Sequence, residues 1–234
     1  MNHKLSGLQD FAAMRQRAVD ALIDEGILRH ANVIAAMMEV PREEFLPSEA
    51  RSQAYIDSPI SIGFGQTTSA LHMTAMFCEY GEMKLGQRVL EVGGGCGYMS
   101  AVYAEIVAST AQQKNRWGHV WSAEIIPELA EVGKKNLERL GFSERVTFEC
   151  KDASGGFEDE GQFDVIIVTS AAPTVPSALI NQLNVEGTLV IPVGEPQIYQ
   201  ELLRIRRKFD GTLSHESLGG VAFVPMRGKY GWAK

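Results

Sequence analysis

Arg88-Val89-Leu90-Glu91-Val92-Gly93-Gly94-Gly95-Cys96-Gly97-Tyr98 decides the fold. Five residues of strand character run into a glycine cluster, and an apolar stretch from Tyr98 to Val107 opens directly behind it. Missing side chains at Gly93, Gly95 and Gly97 let a ligand approach the backbone closely. The helix that follows offers free N–H groups. Together they describe a nucleotide-type site at the carboxyl end of a strand. A glycine cluster alone describes a tight turn equally well.

The chain downstream keeps one rhythm. Val120 to Glu124 reads as a strand, followed by a helix from about Glu128 to Leu140. Val146 to Cys150 and Phe163 to Val168 are the next strands; a helix follows Pro176, and Thr188 to Ile191 is a fifth strand. Glu201 to Ile205 and Val221 to Val224 read as antiparallel strands. Strand–helix alternation with doubly apolar strands predicts a parallel sheet covered on both faces, with right-handed crossovers. The polar segment Ser109 to Gly118 connects a helix back to a strand, so it belongs on the surface away from the strand carboxyl ends.

Upstream, the first third reads as helices. Asp10 caps a helix through Phe11, Met14, Ala18, Ala21 and Leu22 that Gly26 ends. Asn32 caps Val33 to Met38, and Pro41 stops that helix. Ser58 to Gly65 is a loop or short strand, and Leu71 to Tyr80 returns to helix. Nothing marks a linker. The expectation is one domain over 1–234, with a helical and substrate-side segment in 1–80 and a ligand-binding core with C-terminal strands in 81–234.

Composition excludes several function classes. The 234 residues carry 22 Lys+Arg against 29 Asp+Glu, a net charge of −7, with 45% hydrophobic residues. That is ordinary globular usage. The acidic balance and a single short basic cluster (Arg204, Arg206, Arg207, Lys208) argue against nucleic-acid binding, which relies on neutralising phosphates. Cys78, Cys96 and Cys150 lie too far apart for metal-ligand spacing, and an odd count makes a poor disulfide framework. No metal is expected, and a reduced cytoplasmic compartment is. Met1 to Gly7 has no apolar signal-peptide core, and no apolar run approaches the roughly 18 residues of a membrane span.

The charges around the glycines narrow the ligand. The dinucleotide fingerprint G-x-G-x-x-G is not met, because the glycines alternate and Tyr98 stands at the third position. Glu91 lies just before the first glycine, where a carboxylate repels a pyrophosphate and suits a cation. This favours S-adenosylmethionine over NAD. Glu124 closes the next strand, where a carboxylate can accept both ribose hydroxyls. Asp152 follows the third strand, where an acid can meet an adenine amino group. Each acid alone is most simply a solvated strand end; three at successive strand ends are much harder to dismiss.

These residues resemble one family along nearly the whole chain, the protein-L-isoaspartate (D-aspartate) O-methyltransferases. The resemblance rests on Val40-Pro41-Arg42-Glu43-Glu44-Phe45-Leu46-Pro47, Ala54-Tyr55-Ile56-Asp57-Ser58-Pro59 and Gly65-Gln66-Thr67-Thr68-Ser69, in that order. Phe163 to Ala172, Pro192-Val193-Gly194 and Phe223-Val224-Pro225 extend it. It implies a Rossmann-like class I methyltransferase with a mostly parallel seven-stranded sheet and an N-terminal helical addition. It implies methyl transfer from S-adenosylmethionine to the free α-carboxylate of L-isoaspartyl residues in damaged proteins, leaving S-adenosylhomocysteine. The ester then closes to a succinimide that returns to aspartate. A cytoplasmic monomer without nucleic-acid or membrane partners is expected.

The resemblance also implies roles. Ser69 orients the acceptor carboxylate. Gln66, Thr67, Thr68, Glu91, Gly93, Gly95, Glu124, Asp152 and Ala153 hold the cofactor. Asp57, Pro59, Val221 and Val224 face the substrate, the last two as a strand edge pairing with peptide backbone. Core packing explains Gln66, Thr67, Thr68, Asp57, Pro59, Val221 and Val224 equally well, and helix capping near Leu71 is the simpler reading of Ser69 without the resemblance. His72 is expected to be structural and Arg42 to sit in a salt bridge, with substrate contact as its weaker alternative; Gln200 matches a family glutamine of unreadable role. Gly94 and Cys96 in the glycine loop, Leu71 in place of a common proline, and Lys151-Asp152-Ala153 in place of Gly-Asp-Gly depart from the pattern and leave cofactor affinity open. Rival readings are a carboxyl methyltransferase for a different peptide carboxylate, a methyltransferase for RNA or a small molecule, and a non-catalytic cofactor-binding protein.

Overall fold

The computed structural model describes residues 9–232; the expectation for Met1 to Gly7 lies outside them. In chain order come α1 (Phe11–Asp24), α2 (Ala31–Glu39), β1 (Ile60–Gly63), β2 (Gln66–Thr68) and α3 (Leu71–Gly81). Then follow β3 (Arg88–Val92), α4 (Tyr98–Val107), β4 (His119–Glu124), α5 (Pro127–Arg139), β5 (Val146–Cys150), β6 (Phe163–Val168) and α6 (Ser177–Asn181). β7 (Leu183–Glu195), β8 (Tyr199–Arg207) and β9 (Leu213–Val221) close the chain. The main sheet has seven strands in the order β5-β4-β3-β6-β7-β8-β9. Pairing is parallel from β5 to β7 and antiparallel from β7 to β9. The expected sheet is therefore present.

Alternating strand residues feed two cores. Val89, Val165, Ile167 and Val190 point to the face covered by α3, α4 and α5, where Phe77 and Tyr103 are fully buried. Leu90, Ile166, Val168, Leu189 and Ile191 point to the other face, where α6 contributes Leu179. Helices thus lie on both faces, unequally. The order reverses direction between β3 and β6, and this switch point opens a crevice at the strand carboxyl ends.

The N-terminal helices are bolted onto the core. After Pro41 the chain makes a 3-10 turn, Arg42–Phe45, that buries Phe45 edge-on to Tyr98 with ring centroids 5.8 Å apart. Burying such a ring contributes roughly 2 kcal/mol. Asn136 Nδ2 on α5 donates to the carbonyls of Phe45 (3.2 Å) and Cys96 (3.0 Å), tying this turn to the glycine loop. Glu43 accepts from Arg15 Nη2 (3.2 Å) and from the Tyr55 hydroxyl, so the two sequence motifs containing them share one polar network.

Several local expectations need correction. His30, not Asn32, precedes α2; Asn32 lies inside the helix and its Nδ2 donates to the Met83 carbonyl at 2.9 Å. β9 ends at Val221, so 222–224 are not strand: Gln200 Nε2 donates to Phe223 O (3.0 Å) and Gln200 Oε1 accepts from Phe223 N (2.6 Å). A side-chain amide thus takes the backbone groups a ladder would use. Asp10 does cap α1, accepting from Ala13 N at 3.0 Å, and Gly26 follows with a φ of 72°. The polar segment Ser109 to Gly118 lies at the strand amino ends as expected: Gly86 N and Gly118 N both donate to Val107 O at 2.8 Å. In the basic cluster, Arg204 and Arg206 pair with Glu82, and Arg204 also with Glu216, so that strand face is ion-paired rather than merely solvated.

Candidate active site

A cleft opens over the carboxyl ends of β3, β4 and β6. Gln66, Thr67, Gly93, Gly95, Glu124, Asp152, Ala153 and Val224 all line it. A smaller recess shares Thr67, Gly93 and Gly95 with it and adds Thr68, Ser69, Glu91 and Tyr98. A third, shallower recess holds Pro59, His72, Gln200, Val221 and Phe223. Ser69 lines the second recess and Ala70 the third, so consecutive residues join them.

The glycine turn is held by neighbours that need it bare. Gly93 has a φ of 98°, and a Cβ there would lie 2.3 Å from Thr169 Oγ1. That hydroxyl lies within hydrogen-bond distance of the carbonyls of Val92 (3.0 Å) and Gly93 (2.7 Å) and donates its one proton there, pinning the turn to the end of β6. Gly133 on α5 matters for the opposite reason: a Cβ there would meet Gly95 O at 2.6 Å. Alanine gains about 1 kcal/mol over glycine in a helix, yet here the clash is with backbone and decides against it.

The three acids behave differently. Glu91 is fully buried; its Oε2 accepts from the hydroxyls of Ser100 and Ser122 (2.6 Å), while Oε1 has no partner. Burial pushes its carboxyl up to about 7 despite those hydroxyls. Glu124 Oε2 accepts from Gly95 N (3.1 Å) and Oε1 from Ile126 N (2.9 Å). Burial raises its carboxyl too, opposed by those amides. Burial also pulls Asp152 upward, but hydrogen bonds from Ser154 and the Lys229 backbone outweigh it and hold the group below the usual range. Its Oδ1 accepts from Ser154 N (2.9 Å) and its Oδ2 from Lys229 N (2.7 Å), clamping the C-terminal segment over the cleft. Each oxygen keeps one further lone pair for a ligand.

Ser69 is half-buried between β2 and α3. It does not cap α3. The N-cap is Ala70, without a side-chain cap bond. Asp57 does that work: its Oδ1 accepts from His72 N at 2.9 Å, and its carboxylate also meets His72 Nδ1. Asp57 is thereby spent on α3, while Pro59 and His72 line the third recess. Ser69 keeps its hydroxyl free of any hydrogen bond to a described residue, and its carbonyl accepts from Arg42 Nη2 at 2.7 Å. Arg42 forms no salt bridge with a described residue, contrary to expectation.

Sequence reasoning missed other residues here. Thr169 and Ser170 line the cleft from the end of β6. They were findable, since β6 flanks β3 across the switch point. Met226 and Arg227 also line it, and the chain gets there because Met226 N donates to Ala171 O at 2.8 Å. No local pattern signals that return.

A bare turn, a buried acid with a spare oxygen, a carboxylate beside the turn and apolar walls from Val92, Ile126, Leu129 and Met226 suit a cationic nucleoside ligand. Fold and site together define a class I S-adenosylmethionine-dependent methyltransferase. The family described as protein-L-isoaspartate(D-aspartate) O-methyltransferase matches residues 13–231. The protein-L-isoaspartate O-methyltransferase of Hyperthermus butylicus is 46% identical over 222 residues, 95% of this chain and 92% of that protein. The Staphylothermus marinus enzyme of the same name is 49% identical over 95% of this chain and 97% of its own length. A Plasmodium falciparum protein-L-isoaspartate O-methyltransferase solved with S-adenosyl-L-homocysteine superposes with a TM-score of 0.78 at 26% identity, over 93% of this chain and 98% of that one. The chain belongs to the protein-L-isoaspartate (D-aspartate) O-methyltransferase family.

Proposed function

We propose that Ser69 aims the free α-carboxylate of an L-isoaspartyl residue at the methyl group of S-adenosylmethionine. The chain is a protein repair methyltransferase, and S-adenosylmethionine is its methyl donor. The observation that carries the role of Ser69 is its spare hydroxyl in a recess shared with Glu91 and the glycine turn. When bound, the cofactor supplies an electrophilic methyl on a cationic sulfur.

The residues fit that task. An α-carboxylate with a pKa of about 3.5 is already a nucleophile at neutral pH, so no general base is required. Among the described residues no histidine, lysine or arginine lines the Ser69 recess. A hydroxyl can orient the anion without quenching it as a direct cation contact would, and proximity carries most of the acceleration. The low exposure of Thr68, Glu91 and Tyr98 keeps water sparse where charge is neutralised. Gln66, Thr67, Thr68, Gly93, Gly95 and Ala153 supply walls and backbone for the cofactor. Glu91 faces its positive charge, Glu124 the ribose hydroxyls and Asp152 the adenine edge. Pro59, Val221 and Val224 flank the acceptor peptide, with Asp57 behind them through His72. The methyl ester closes to a succinimide, which hydrolyses towards aspartate.

We read 1–234 as one methyltransferase domain, 1–80 being its substrate-side part. Among the described residues no helix is long and apolar enough to cross a membrane, and three unbridged cysteines support a cytoplasmic setting.

Methyl transfer from labelled cofactor to a synthetic isoaspartyl peptide, with its aspartyl twin as control, tests this reading. Ester on the isoaspartyl peptide alone is expected; equal or preferential labelling of the aspartyl twin overturns it. Replacing Glu124 by alanine removes a ribose partner and the anchor of Gly95 N together. The dissociation constant for S-adenosylhomocysteine should rise about tenfold, the value of one charge-assisted hydrogen bond. An unaltered constant by calorimetry removes Glu124 from the cofactor site.

A further inference from the structure

Arg42 is among the largest fully buried side chains of the protein. Its guanidinium lies over the Tyr98 ring, 4.8 Å from the centroid, and Nη2 donates to the Ser69 carbonyl at 2.7 Å. Nε and Nη1 have no hydrogen-bond partner among the described residues. The carboxylate next to it in sequence, Glu43, is committed to Arg15 and Tyr55. Among the described residues no carboxylate lies within salt-bridge distance of Arg42. An arginine cannot shed its proton, and a buried charge without a counter-charge is costly. Chemistry of this kind is kept where an anion arrives.

The placement fits such an anion. Tyr98, under the guanidinium, is a wall of the recess that Ser69 lines, and that recess has no cation of its own. Arg42 stands one peptide group behind the Ser69 hydroxyl. From there its charge attracts a carboxylate without bonding to the oxygen that must attack. Its position follows from the 3-10 turn that Pro41 begins and Phe45 anchors.

We propose that Arg42 is the positioning residue of Ser69: its Nη2 holds the Ser69 carbonyl in place, and its unpaired charge draws the anionic acceptor into the recess. This rests on the reading of Ser69 given above. The test is a double-mutant cycle of wild type, Arg42→Met, Ser69→Ala and the pair, with Arg42→Lys as a fifth protein. Turnover and KM for an isoaspartyl peptide are measured, with S-adenosylhomocysteine affinity by calorimetry and isoaspartyl-peptide affinity of the S-adenosylhomocysteine complex.

Arg42→Met should lower kcat/KM more than tenfold with Ser69 present and less than threefold without it. Cofactor affinity should stay within twofold, and peptide affinity should fall. Arg42→Lys should recover KM, because charge is kept, but not kcat, because the planar guanidinium stacked on Tyr98 that aims Nη2 at the Ser69 carbonyl is lost. Equal losses in both backgrounds, or no recovery of KM by lysine, overturn the proposal. If the methionine variant does not fold, the lysine variant runs the same cycle; failure of both to fold assigns Arg42 to stability alone and overturns it too. Wild type that binds cofactor but does not label the isoaspartyl peptide overturns the functional reading itself. Active wild type with additive losses overturns only the role of Arg42.

Discussion

Ser69→Ala should lower turnover on an isoaspartyl peptide more than tenfold while S-adenosylhomocysteine affinity stays within twofold. Tenfold corresponds to about 1.4 kcal/mol of transition-state stabilisation, modest for one oriented hydrogen bond to an anion. The structure makes the experiment clean. Among the described residues the Ser69 hydroxyl finds no hydrogen-bond acceptor, and the amide it would have capped in α3 is served by Asp57. Removing Oγ therefore leaves no buried group unpaired, and the melting temperature should stay within about 2 °C. The acceptor is ionised well below neutrality, so the residual rate should keep the pH profile of the wild type. Unchanged turnover would remove Ser69 from the reaction, and a large drop in melting temperature would assign it to the fold.

Residues that announce their own neighbours were legible in the sequence. The bounds of β3, α4, β5 and β6 follow from short apolar runs set between turn-forming residues. β7 was legible only in its middle, because its flanks carry Glu186 at a φ of 63°, Pro192 and Gly194, which look like breakers. Its outer half is held by register with β8, from Thr188 opposite Arg206 to Glu195 opposite Tyr199. β9 was illegible for a related reason: Leu-Ser-His-Glu-Ser-Leu-Gly-Gly-Val is a polar, largely exposed edge, and pairing alone makes it a strand. In the site, the glycines and the three acids follow from local order. Asp57 as the cap of α3, Lys229 on Asp152 and Arg42 on Ser69 join residues 15, 77 and 27 positions apart, and no window of sequence displays such pairs.

Glu91→Gln should stabilise the cofactor-free protein above neutral pH and weaken its hold on the cofactor. The sign follows from burial. The folded carboxyl titrates near 7, against 4.5 for an ordinary glutamate. Below about pH 4.5 both folded and unfolded chains hold the proton, and the residue makes no pH-dependent contribution. As pH rises through that interval the unfolded chain ionises while the folded one stays neutral, so wild type loses stability progressively and levels off above 7. A shift of that size corresponds to roughly 3 kcal/mol. Glutamine does not titrate, and the Ser100 and Ser122 hydroxyls can rotate to meet its amide. Denaturant midpoints should then diverge with pH, small in difference at pH 4.5 and greatest above 7. Parallel curves would place the Glu91 carboxyl in contact with solvent or an unseen donor. The affinity arm runs the other way. A cationic ligand favours the ionised carboxylate, so S-adenosylmethionine must recover in binding what burial takes away, and glutamine cannot supply that charge. More stable yet weaker binding is the joint signature of an acid kept for its ligand; a variant that binds unchanged would make Glu91 a packing residue of β3.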